Sequence, residues 1–164
     1  MSLFQVAEWL EASSLARWVQ ESLYGFAIVV AVHILGLTLS VGTLIWFDLR
    51  LLGVSMLRIP VSQLYRRLMP WILSGFTVMF VSGGILLAAY ATSAYGNLYF
   101  RIKAIALVLA GVNAFFYHRV TERQIHRWDE ARLPSLPARA AGLISILVWG
   151  VVILAGRMMS YTMF

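Results

Sequence analysis

The chain has 164 residues, of which 61% are hydrophobic and only 12% charged, with a mean hydropathy of +0.82. A soluble domain needs roughly a quarter of its residues charged to coat its surface, so this composition is written for a lipid bilayer. Cysteine is absent, which excludes disulfides, thiolate metal sites, iron–sulfur clusters and thiol catalysis.

The first twenty-one residues carry Glu8, Glu11, Arg17 and Glu21 and are too polar to span. Leu3, Val6, Leu10, Leu15, Trp18 and Val19 recur at roughly helical spacing, which predicts an amphipathic helix over 1–21 lying on the membrane interface. Docking on a partner is the alternative. The segment has no cationic start before an apolar run and does not read as a cleavable signal peptide.

The first span is expected over 22–47, a stretch without a charge between Glu21 and Asp48. About twenty apolar residues suffice for one crossing. The second is expected over 70–90, with Pro70 in its first turn, where a missing backbone donor does little harm, and 91–97 (ATSAYGN) as a polar exit loop. The third, over 102–118, has Arg101 and Lys103 placed to snorkel at its start. A charged loop (TERQIHRWDEARL), expected to be helical, leads past Pro134 and Pro137 to the fourth span over 138–158. The sequence thus predicts an all-α integral membrane protein. Its one domain over 1–164 is an antiparallel bundle of four transmembrane helices with an N-terminal interfacial helix.

Twelve of the thirteen basic residues are arginines beside apolar spans. Such placement speaks for topology signals and lipid headgroups rather than nucleic acid, whatever the net charge of +6. Arg50, Arg58, Arg66 and Arg67 fall in one loop, and Arg119, Arg123, Arg127, Arg132 and Arg139 in another. The positive-inside rule places both loops in the cytoplasm and both termini outside a bacterial inner membrane.

His33, eleven residues into the first span, leads the functional candidates, because an imidazole at that depth needs a partner or a ligand. Counted from the outer span ends, Asn113 falls within about a turn of it, so a His33–Asn113 bond between helices is the structural reading. A metal or haem ligand and a proton or quinone contact are the functional ones. His118, at the inner end of the third span, has Asp48 and Arg50 as expected partners. His126 reads as solvated. A bis-histidine clamp is disfavoured by an offset on the order of 10–20 Å between His33 and His118. Gly83, Gly84 and Gly111, with Ser82 and Gly150 to Gly156, leave room for a flat macrocycle or simply let helices approach. Met79, Met158 and Met159 are soft donors suited to haem or Cu(I), or ordinary gap fillers. Arg157 suits a propionate or a lipid phosphate.

Enzyme motifs are missing: there is no HExxH, GxSxG, Walker loop or GxGxxG followed by an acid. All seven acidic residues are expected in loops or at helix ends, so no buried carboxylate is expected inside a span.

The runs HILGLTLSVGTLIWFDLRLLG (33–53), PWILSGFTVMFVSGGILL (70–87) and FRIKAIALVLAGVNAFFYH (100–118) resemble a family of small, functionally uncharacterised bacterial four-helix membrane proteins. More distantly, the His-xx-Gly start and the small-residue helix after it are similar to copper-resistance protein D-like domains and small b-type membrane cytochromes. Those relatives imply copper handling or haem-mediated electron transfer to quinone. By position, His33 is then the ligand, His118 the second candidate and Asn113 the support.

The leading expectation is an inner-membrane redox or anchor subunit binding haem b, or contacting a quinone, through His33. A copper-handling protein, a non-catalytic structural subunit of a larger membrane complex and a transporter-like oligomer are the alternatives. Lipid is the expected surrounding, and further copies of the chain or other membrane subunits are the possible partners.

Overall fold

A computed structural model describes residues 2–163 apart from positions 122, 124, 126 and 127. The expectations for His126 and for Arg127 lie outside the described residues. The described chain is helical and without strands. Its elements are α1 (Leu3–Glu11), α2 (Ser14–Glu21), α3 (Gly25–Leu51), α4 (Val61–Ala89), α5 (Ala91–Gly96), α6 (Leu98–Phe116), a π-helical turn (Tyr117–Thr121) and α7 (Leu136–Met163). Four of them, α3, α4, α7 and α6 with the start of the π turn, are long and apolar enough to cross a membrane. The protein is an all-α, multi-pass membrane bundle.

Its outer surface is apolar: Leu35, Leu154 and Val108 are each about two-thirds exposed. In lipid such residues gain little by turning inward, so helix association rests on close packing of small residues. The α3–α4 hairpin shows this directly. Gly36 lies against the backbone of Met79 and Gly75 against Ser40, so closely that a Cβ on Gly75 would sit 2.5 Å from the Ser40 nitrogen. The second hairpin is α6–α7, and α7 also packs on α3.

The two hairpins share a central cluster of Val41, Met79, Ala106, Trp149 and Val152. They share another at the arginine-rich end, where Phe47, Leu51, Val61, Leu64, Tyr117, Trp128 and Ala138 are buried together. At the opposite end, which holds both chain termini, the cluster is Ala16, Val19, Val29 and Ala89. That one draws on α2, α3 and α4 alone. The α6–α7 hairpin contributes no member to it.

Several boundaries differ from the sequence expectation. The second crossing begins at Val61 rather than at Pro70, and Pro70 stands inside α4. Arg66 and Arg67 are exposed there, so the helix runs on through a polar layer where charges stay solvated. The third crossing starts at Leu98, because the Asn97 side chain accepts hydrogen bonds from the backbone N–H groups of Tyr99 and Phe100. The 91–97 segment is mostly the short helix α5 rather than a loop. The fourth crossing is longer at both ends than 138–158. In the charged loop, Trp128 to Glu130 form a turn and not a helix.

The N-terminal segment, expected as one interfacial helix, is two helices. Ser2 closes a capping box on α1, and Ser13 accepts from the Ala16 N–H to start α2. Glu11 fixes the pair to the bundle: its carboxylate accepts from the Thr92 N–H at 3.0 Å and the Thr92 hydroxyl at 2.5 Å. Gln20 donates to Glu11 and to the Ala89 carbonyl. Burial and the Glu11 charge hold the Tyr90 phenol above its usual range.

Candidate functional site

His33 stands eight residues beyond the start of α3, half-buried and turned towards α4. Its Nδ1 lies 3.1 Å from Ser82 Oγ. The Ser82 hydroxyl already donates to the Val78 carbonyl at 2.6 Å, so it accepts from the imidazole and Nδ1 carries the proton. Gly83 makes room for the ring: a Cβ there would be 3.0 Å from His33 Cε1 and 3.4 Å from Nδ1. With that edge against α4, the Nε2–Cδ2 edge faces away from it and Nε2 keeps a lone pair.

Lys103 is the second polar group at this level. It lies five residues into α6, half-buried, with its ammonium and stem alongside Gly156 of α7. Its charge is within electrostatic range of His33. Among the described residues no carboxylate pairs with it. The sequence reading has Lys103 snorkelling to the surface; the helix starts earlier than expected, and the residue is carried inward against α7. The result is an imidazole on α3 and, on α6, a cation within its electrostatic range that no carboxylate pairs with among the described residues.

Residues 6–162 match the model of a family described as of unknown function, DUF6644. The chain belongs to that family. No curated protein and no solved structure matches it significantly.

The remaining candidates of this DUF6644 chain are spread over the bundle. Asn113 does not reach His33. It sits fifteen residues into α6 where His33 is eight into α3, a difference of about 10 Å in depth. Its Nδ2 instead donates to the Ala141 carbonyl of α7 at 3.0 Å. The expected pair fails because the third helix begins four residues before the assumed start and the first begins three residues later. Asn113 lines a groove of about 450 Å³ between α6 and α7 with Leu109, Phe116, Tyr117, Pro137 and Ile144.

His118 lies in the π turn at the arginine-rich end, exposed, with its ring edge-on to Tyr65 and Tyr117. Met79 is core, its backbone pressed by Gly36. Gly84, Gly111 and Gly150 face open space. Arg157 is exposed and donates to Tyr161 Oη at 2.9 Å while lying over that ring. Among the described residues, no three His, Asp or Glu side chains gather as metal ligands do.

Sequence reasoning missed a second polar focus, at the arginine-rich end. Asp48 is not at a solvated helix end: it is 3% exposed, hydrogen-bonded to the buried Ser145 of α7. The helix continues to Leu51, beyond the assumed end of the span, which carries Asp48 into the packed face. Arg50 is fully buried and directed at loop carbonyls rather than at His118. The signal that could have found them is the α3 register. Val41, Phe47, Asp48 and Leu51 fall on one helical stripe.

Proposed function

We propose that this DUF6644 member is a small redox or anchor subunit of the bacterial inner membrane, in which His33 and Lys103 together receive a quinone headgroup. The supporting observation is His33, its Nδ1 held 3.1 Å from Ser82 Oγ, within electrostatic range of an ammonium that no carboxylate pairs with among the described residues. A quinol O–H donates to Nε2, and Lys103 donates to a carbonyl or balances a deprotonated oxygen. An unpaired cation in a bilayer is costly, and such a ligand relieves it. The haem b reading is the second. Ligand histidines usually have their other nitrogen held by a hydrogen bond, and Ser82 supplies one here.

Purification in mild detergent, with solvent extraction for quinone, metal analysis and oxidised and reduced spectra, tests both readings. Quinone near one per chain, lost in His33→Ala and in Lys103→Met but kept in Arg157→Ala, is the expected result. A Soret band that vanishes in His33→Ala would replace quinone with haem. A preparation holding neither, or copper alone, overturns the proposal.

The arginine-rich end is proposed to face the cytoplasm. Because the chain has no cysteine, single-cysteine labelling reads this directly. Ser93→Cys, exposed on α5, should react with an impermeant maleimide in spheroplasts, and Glu130→Cys only after lysis. The reverse pattern inverts the topology.

A further inference from the structure

Asp48 lies apart from His33 and Lys103, at the arginine-rich end. Its Oδ2 is buried with no hydrogen-bond partner. On α4 the charged side chains nearest this end, Arg66 and Arg67, are exposed. On α3, Arg50 is turned away: Nε donates to the Ile59 carbonyl at 2.9 Å and Nη2 to the Ala131 carbonyl at 3.2 Å. On α7 the near groups are Ser145 and Gly142, whose Cβ position lies 3.0 Å from the Asp48 carbonyl oxygen. The π turn brings Tyr117 and His118, whose rings pack on Phe47 and Tyr65. In the loop, Asp129 is occupied by the N–H and hydroxyl of Ser62. Among the described residues no ion pair is formed by the Asp48 carboxyl.

We propose that Asp48 is a proton-binding site, its carboxyl neutral in the closed bundle and its proton exchanged with the arginine-rich side. A lone carboxylate in such surroundings would be far more costly than a carboxylic acid. A metal cation is the other way to neutralise it, but calcium-type sites need six to eight oxygens and the surroundings supply Ser145 beyond the carboxyl itself. The site lies on the seam where the two hairpins meet, since the Ser145 bond joins α3 to α7. Loss of the proton places a charge in that seam and loosens it. Proton binding thereby becomes a control on hairpin packing, and it does not depend on the quinone reading.

Infrared spectra of the protein in liposomes, recorded across pH and compared with Asp48→Asn, test this. The expected result is a protonated-carboxyl carbonyl band at neutral pH that disappears at high pH and is missing in Asp48→Asn. Ser145→Ala should keep the band and shift its frequency, which covers the case in which Asp48→Asn does not fold. The unfolding temperature should fall as pH rises through the same titration in the parent, and stay level in Asp48→Asn. The assignment is overturned by the absence of the band, by its survival in Asp48→Asn, or by its loss on adding sodium at constant pH; that last outcome means a cation site.

Discussion

Gly75→Val should unfold the α3–α4 hairpin, with a loss on the order of 3 kcal/mol or more in detergent unfolding experiments. A Cβ at position 75 would meet three Ser40 atoms, the nitrogen at 2.5 Å and Cα and Cβ at 2.9 Å. Two of these are backbone, so no rotamer change clears the clash and α3 must move as a body. Such a shift also disturbs Gly36, whose Cβ position is 2.8 Å from the Met79 nitrogen. It would take His33 away from Ser82 as well, because both contacts lie on the same helix pair. Gly84→Val and Gly111→Val are the controls, since neither position meets anything within 4 Å. Both should unfold within about 0.5 kcal/mol of the parent, as surface substitutions do. If Gly75→Val is as harmless as they are, the close approach of α3 and α4 is wrong.

That contrast shows what the sequence discloses and what it withholds. Four apolar stretches and the arginine-rich turns disclose the number of crossings, because spanning length and charge exclusion are properties of each segment alone. The role of a glycine is not such a property. Gly75 and Gly111 are equally small, and only the partner helix decides that one is pressed against a backbone while the other faces lipid. Depth is similarly withheld. His33 and Asn113 seemed level because span ends were counted from charges, whereas Asn97 starts α6 by capping it. Lys103 was legible as a charge near a helix start, but its unpaired position beside Gly156 depends on where α7 lies. Asp48 shows the converse difficulty. A charge was taken to end a span, yet α3 carries it inside, and the residue that accommodates it, Ser145, is almost a hundred positions away.

Arg50→Ala should be the most damaging change at the arginine-rich end, costing about 3–5 kcal/mol in the same unfolding measurement. Arg50 is fully buried, and its guanidinium reaches Ile59 before α4 and both Ala131 and Asp129 in the second loop. One planar fork thereby fastens both arginine-rich loops to the end of α3, just before Gly53 turns the chain at φ 75°. Removing it takes the guanidinium donor from the part-buried carbonyls of Ile59 and Ala131 and leaves a void as large as the side chain. Asp129 works next to it, accepting from the Ser62 N–H at 2.7 Å and hydroxyl at 2.6 Å and so capping α4 from a distant loop. The two changes share that loop, so Arg50→Ala and Asp129→Ala together should cost less than the separate losses added. Arg50→Lys separates geometry from charge. An ammonium retains the positive end of the topology signal but cannot span carbonyls that lie on two sides of a guanidinium. Stability close to that of Arg50→Ala means the fork holds the loops. Full stability in Arg50→Lys would return Arg50 to the plain orienting charge that the sequence suggests.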